Sequence, residues 1–168
     1  TRRAAHLIQN DLPITRLLDA DFTFVNGRLA RHYGLPFSGQ PDDWRLTTGL
    51  HEQGRGGLLG MAVFLAKNSQ PQRTSPVKRG FWVVHKLLGE HIPAPPADVV
   101  ALPAKETDTG GKTIRELLAL HVEDEKCARC HVRFDAVGLA MEGFDASGKR
   151  RLKDLAGRRV DNVVRLPN

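Results

Sequence analysis

Two cysteines and one histidine carry the most specific chemistry in this chain. Cys127, Cys130 and His131 stand together in the string Cys-Ala-Arg-Cys-His, and the 168 residues contain no other cysteine. C-x-x-C-H is the attachment signature of c-type haem. The spacing has a physical reason. Two thiols about one helical turn apart reach the two vinyl-derived carbons on one side of a porphyrin, and the adjacent histidine then lies under the iron as its ligand. Three other chemistries compete for the same residues. A thioredoxin-like dithiol needs a strand before it and a helix after it in a β-α-β context, which the sequence lacks. A zinc site wants a second spaced pair, and no further C-x-x-C or H-x-x-x-H is present. An incidental buried cysteine pair is the third. The motif predicts one covalent haem c on Cys127, Cys130 and His131.

The opposite face of such a haem needs its own ligand or an open position. The candidates are His6, His32, His51, His85, His91, His121, Met61 and Met141. Met141 and His121 lie too close to His131 in sequence to cross to the other face. Met61 sits on an apolar helix, where a plain core role fits equally well. His32 closes an apolar helical stretch beside Tyr33 and ranks first, Met61 second, with an open or water-bound position close behind. The bland reading of His32 is a helix C-terminus favoured by the dipole. Arg73, in Arg73-Thr74-Ser75-Pro76, precedes a capped helix start and is placed to grip a haem propionate.

Two functions follow. A six-coordinate haem makes an electron-transfer module, and an open sixth position makes a haem enzyme of peroxidase-like type. The first is favoured because no distal acid–base pair is evident. A purely structural haem is a weaker third. No G-x-S-x-G or H-E-x-x-H string occurs, and Gly54-Arg55-Gly56-Gly57 lacks the strand that a phosphate loop requires. Asp135 and Asp145 fall at expected segment ends, where capping is the default role.

The elements that must position these residues are mostly helical. Apolar spacing through Leu7, Ile8, Leu17, Leu18, Phe22, Phe24, Val25 and Leu29 predicts helix over 1–36, ended by Gly34. Trp44-Arg45-Leu46 reads as a short strand. Gly56 to Lys67 reads as a second helix, and Ser75 caps a third with Pro76 at its first position and Gly89 beyond its end. Residues 92–112 form a Pro-rich connector, extended and laid over the surface. Thr113 and Glu116 form a capping box. The cysteine segment is expected as a short helix, with another at 136–144 and a small hairpin near 150–161. No internal repeat is evident. The expectation is a mainly α, cytochrome c-like domain around one haem. In it a helical region, 1–91, covers the haem, residues 92–112 connect, and the attachment segment, 113–168, completes one compact unit.

Apolar residues at 40% and charged residues at 26% are an ordinary globular mix. Net charge is +6, but the positives are scattered apart from Lys149-Arg150-Arg151 and Arg158-Arg159, and no aromatics interleave with them. A solvated basic surface is the simpler reading than a nucleic-acid site. No apolar run approaches the ~20 residues of a membrane span. Both ends read as cut from a longer protein.

The stretch from Cys127 to Arg151 resembles the large planctomycete-type cytochrome c proteins of unknown function. Three further segments are similar to their pattern: Leu18 to Gly34, Gly57-Leu58-Leu59, and Arg73 to Gly80. The family's segment matching Leu29 to Gly34 usually carries a histidine where His32 stands. The resemblance implies an exported, multidomain haem protein of which this is one C-terminal segment. Its partners would be other redox domains of the same chain or a separate redox protein. Covalent haem c is assembled after export, which implies a periplasmic or other extracytoplasmic location.

Overall fold

The fold was analysed in a computed structural model, which describes residues 2–97, 99 and 101–165. The architecture is mainly α, with seven α-helices and one two-stranded antiparallel sheet among the described residues. The chain divides into two compact units, residues 1–65 and 66–168. The Pro-rich connector lies inside the second of these. Positions 98 and 100 of that connector, and the last three residues, fall outside the described residues.

In the first unit, α1 (Arg2–Gln9) buries Leu7 and leaves Ile8 outside. The short α2 (Arg16–Asp19) follows. The chain then departs from the expected helix. Phe22–Val25 is strand β1, paired with β2 (Arg45–Thr48) in the register Phe22 to Thr48 and Val25 to Arg45. Its aromatic and β-branched residues suit a pleated surface, and Thr23 and Val25 alternate inward. The apolar positions fitted a helical template by count, yet side-chain type and a strand partner decide the outcome. Asn26 then starts α3 (Gly27–Tyr33), its side chain accepting from the Leu29 N–H at 3.0 Å. Gly34, at φ +71°, ends α3 as the sequence predicts. Val25, Ala30, Leu35 and Leu50 form the core here. The expected helix from Gly56 begins only at α4 (Ala62–Lys67). Gly57 has φ +52°, and a Cβ there would stand 1.8 Å from the Leu18 carbonyl oxygen, so the segment is a turn held against the chain.

The second unit is built on two crossing helices, α5 (Pro76–Trp82) and α7 (Glu125–Leu139), with α6 (Ile114–His121) beside α7. Ser75 caps α5, accepting from the Lys78 N–H at 3.3 Å, with Pro76 first in the helix. A π-helical turn, Val83–Leu87, continues α5 to Gly89. The predicted capping box on α6 forms in both directions, Thr113 with Glu116. The cysteine segment and the expected helix at 136–144 are instead one continuous helix, α7, running to Leu139. No proline or cap interrupts it, and Gly138 near its end is retained for packing. A Cβ on Gly138 would meet the Pro76 carbonyl oxygen at 1.9 Å, and one on Gly80 would meet that of Phe134 at 2.0 Å. The two helices touch backbone to backbone, and glycine on each side permits it.

The expected terminal hairpin forms in minimal shape, with the Val160 N–H on the Leu152 carbonyl, the Asp154 N–H on the Arg158 carbonyl, both at 2.9 Å, and an antiparallel bridge between Lys153 and Arg159. Its turn is the second of two similar turns nine residues apart. Asp145 and Gly148 close the first, Asp154 and Gly157 the second, with both glycines at φ +81°. In each, the aspartate Oδ1 accepts backbone N–H groups two and four residues on. Isolated bridges Phe144–Arg150 and Lys153–Arg159 flank them. Within a unit of this kind the connector does more than cover surface. Ile92 is buried with Val84 and Phe134, and Leu102 packs on the cluster of Ile114, Leu118 and Leu139.

Candidate functional site

The first turns of α7 set the geometry of the cysteine–histidine motif. Asp124 caps the helix, accepting from the Lys126 N–H at 2.8 Å. The helix therefore begins just ahead of Cys127, and a spacing of three brings both thiols to one face. Both cysteines are free thiols and half-buried, and Cys130 packs against the cluster of Val84, Ile92 and Phe134.

His131 is fixed from several sides. Its Nδ1 lies 2.9 and 3.0 Å from the two carboxylate oxygens of Asp135, one turn along α7. Both side chains are 14% exposed. A carboxylate only accepts, so Nδ1 is the donor, and the neutral ring keeps its lone pair on Nε2. The rings of His121 and Phe134 stand 4.8 and 4.9 Å from the His131 ring. Asp135 does not cap a helix end, as its expected position implied. Because α7 is unbroken, it becomes the i+4 partner of His131.

These residues face an apolar cavity of about 310 Å³, the size of a small-molecule or cofactor site. Cys127, Cys130, His131 and Phe134 from α7 form one wall, with His121 and Leu118 from α6. Val77 and Phe81 from α5 form another, and Ile92, Pro93, Pro95, Pro96, Val99 and Leu102 of the connector complete it. Such a site offers two free thiols, one imidazole and a mainly apolar surround.

Arg73 also lines this cavity. It is 6% exposed, and its Nη1 donates to the Thr74 carbonyl at 2.9 Å, while its Nε is buried with no hydrogen-bond partner. Burial holds its pKa below the usual arginine value, against the opposing charges of Glu142 and Glu106. Behind it lies a buried ionic network that sequence reasoning missed. Arg151 binds both oxygens of Glu106 at 2.8 and 3.0 Å and Glu142 Oε2 at 2.9 Å. Thr74, wholly buried, donates to Glu142 Oε2 at 2.8 Å. Arg79 spans the end of α7, donating to the carbonyls of Met141, Phe144 and Asp145 at 2.8–3.0 Å and to Ser69 Oγ at 3.0 Å. Burial pushes the Arg79 guanidinium down to about 10, although Glu142 beside it opposes this. Burial likewise raises the Glu142 carboxyl, against Arg151 and Arg79. For Glu106 burial is outweighed by the Leu155 N–H and by Arg151, and its pKa falls below the usual range.

Arg151 therefore does not belong to a solvated basic run. Lys149 and Arg150 are exposed, whereas the Arg151 side chain is 8% exposed. Arg158 is also turned inward, onto Asp154, Thr109 and the Glu106 carbonyl. Arg151 stands three residues beyond Gly148 and Arg158 directly follows Gly157, so the two inward arginines share no spacing that charge counting could read.

The structure brings Cys127, Cys130, His131 and Arg73 to one cavity. His32, on α3, and Met61 belong to the first unit and are not among the lining residues. Met141 is buried at 7%, and its carbonyl is held by Arg79. His85 is half-buried, with Nδ1 donating to the Glu90 carbonyl at 2.9 Å. Among the described residues no group of three or more His, Cys, Asp or Glu side chains is arranged to hold a metal ion by itself, and no helix is long and apolar enough to cross a membrane.

No curated protein and no solved structure matches the chain significantly. Residues 1–35 match the family PSD4, described as a protein of unknown function (DUF1592). Residues 55–154, which include α5 to α7, the connector and every lining residue of the cavity, match PSCyt3, described as a protein of unknown function (DUF1588). The chain belongs to this DUF1588 family.

Proposed function

We propose that the second unit binds one covalent haem c in the cavity beside α7 and serves as an electron-transfer module. The observation that carries this reading is the cysteine–histidine motif on one helical face, opening onto an apolar cavity with both thiols free and the His131 lone pair on Nε2. The residues present fit the group. Cys127 and Cys130 would each add across one vinyl group. A carbon–sulfur bond forms, the thiol hydrogen passes to the other vinyl carbon, and nothing leaves. His131 would ligate the iron through Nε2. The orphaned Nε of Arg73 is a buried cationic donor of the kind a propionate satisfies.

When bound, the haem supplies a one-electron iron(III)/iron(II) couple. The chain's own contribution is to hold that couple in a mainly apolar surround and fix its histidine. One electron would come from a reduced donor and pass to an oxidised acceptor, each another redox domain of the same longer protein or a separate redox protein. Haem c is attached after export, so this reading places the protein outside the cytoplasm, in keeping with the resemblance to planctomycete-type cytochromes.

The test is intact mass of the denatured protein made in a host competent for haem c maturation. Wild type should be heavier than the bare chain by one haem, and a protein carrying Cys127→Ala and Cys130→Ala should not. A wild-type mass equal to the bare chain refutes the reading. The ferric spectrum should be low-spin, and His131→Ala should abolish it while the thioethers still form. A wild type that is already high-spin refutes electron transfer and assigns the site to a haem enzyme.

A further inference from the structure

We infer that Asp135 is a positioning residue that sets the reduction potential of this site, holding it low by acting through His131; the inference rests on the haem reading above. Three observations carry it. Both carboxylate oxygens of Asp135 lie within 3.0 Å of Nδ1, so the ring has a charged acceptor rather than a backbone carbonyl behind it. The pair is 14% exposed on each side, where water screens the charge poorly. Both residues lie on one unbroken helix, so their separation is fixed by the i+4 geometry and not by loop motion.

The physical consequence follows from where charge sits. A carboxylate accepting from Nδ1–H draws the proton toward itself and leaves the ring a stronger electron donor at Nε2. A stronger donor favours the more highly charged iron(III) over iron(II), which lowers the potential. The rings of His121 and Phe134 limit rotation of His131, so the donor strength is delivered in one orientation. Nothing in the cysteine motif demands a carboxylate at position 135. A side chain that merely completed a helical face would leave the potential alone.

The test uses the full chain loaded with haem in a host competent for its maturation, with midpoint potentials read by spectroelectrochemical titration. Asp135→Asn keeps an acceptor for Nδ1–H but removes the charge. It should load normally and shift the reduced-to-oxidised ratio at the wild-type midpoint about tenfold toward the reduced form, equal to about 59 mV for one electron. Asp135→Glu keeps the charge and should stay nearer to wild type than Asp135→Asn. Equal potentials for wild type and Asp135→Asn, or a fall in the variant, overturn the inference while leaving covalent haem intact. Failure of Asp135→Asn and Asp135→Ala alike to take up haem also overturns it, because a residue that tunes potential is not required for attachment. Wild-type protein without haem overturns the underlying reading and this inference with it.

Discussion

Gly138→Ala tests the helix crossing on which the site is built. Two effects oppose each other. Alanine is the better helix former by about 1 kcal/mol, and Gly138 lies inside α7, so propensity alone predicts a gain. The contact predicts a loss. The new Cβ would lie 1.9 Å from the Pro76 carbonyl oxygen and 2.9 Å from the Pro76 Cα. Carbon and carbonyl oxygen ordinarily meet no closer than about 3.3 Å, so α5 and α7 must separate by roughly 1.4 Å at this point. The obstacle is backbone, not the movable end of a side chain. Separation also loosens Val77 and Phe81 from Phe134 and Cys130, which share one buried cluster. Overpacking of this kind costs about 1–3 kcal/mol or more, and we take the clash to win, with a net loss of about 1–2 kcal/mol. Urea denaturation followed by circular dichroism should show a lower midpoint at unchanged slope, and the melting temperature should fall by about 2–4 °C per kcal/mol. Arg129→Ala, on the exposed side of α7, should change stability by less than about 0.5 kcal/mol. A Gly138→Ala protein as stable as wild type, or more so, would refute the close crossing.

Arg79→Lys should destabilise by about 3 kcal/mol, because an ammonium cannot reach three carbonyls and a hydroxyl held in a planar fork, and Glu142 stays buried with less compensation; thermal unfolding measures it, and a loss under about 1 kcal/mol would sink the assignment. Glu106→Gln should cost about 3 kcal/mol at pH 7. Its carboxyl titrates below the usual range in the folded protein, so it stabilises above its unfolded pKa and that contribution disappears as pH falls through the folded value. The gap between variant and wild type should therefore close in acid, and a gap independent of pH from 7 to 3 would refute the role of its charge. Thr113→Ala should cost about 1 kcal/mol by removing the hydroxyl that accepts from the Glu116 N–H, while the Thr113 backbone N–H can still donate to the Glu116 carboxylate, read as a lowered urea midpoint.

The sequence was most legible where a local signal suffices. The caps at Ser75 and Thr113 and the stop at Gly34 each depend on residues a few positions apart. Reading failed where a distant partner decides. Phe22 to Val25 has apolar spacing that a helix or a strand would accept, and β2, more than twenty residues on, settles it. The Pro-rich connector reads as a spacer by composition, but its apolar residues are taken up as a cavity wall. Glu106, Glu142 and Arg151 look like surface charges because charge type carries no burial information. His131 and Asp135 were each visible, yet their pairing required α7 to run unbroken through both. Arg73 was read as an anion grip ahead of a capped helix, and it does line the cavity.

The buried ionic network also has a balance sheet of charge. Three guanidinium groups, Arg73, Arg79 and Arg151, face two carboxyls, Glu106 and Glu142, all within the interior of the second unit. The interior is therefore one positive charge in surplus, and the raised Glu142 can only enlarge that surplus by taking up a proton. Arg151 and Arg79 are engaged by carboxylates and carbonyls, whereas Arg73 has only the Thr74 carbonyl as a hydrogen-bond acceptor and faces the cavity. A buried cation without a direct ion pair is costly to keep. An anionic group entering beside Arg73 would remove that cost, so folding of the second unit and occupation of its cavity are thermodynamically linked, each strengthening the other.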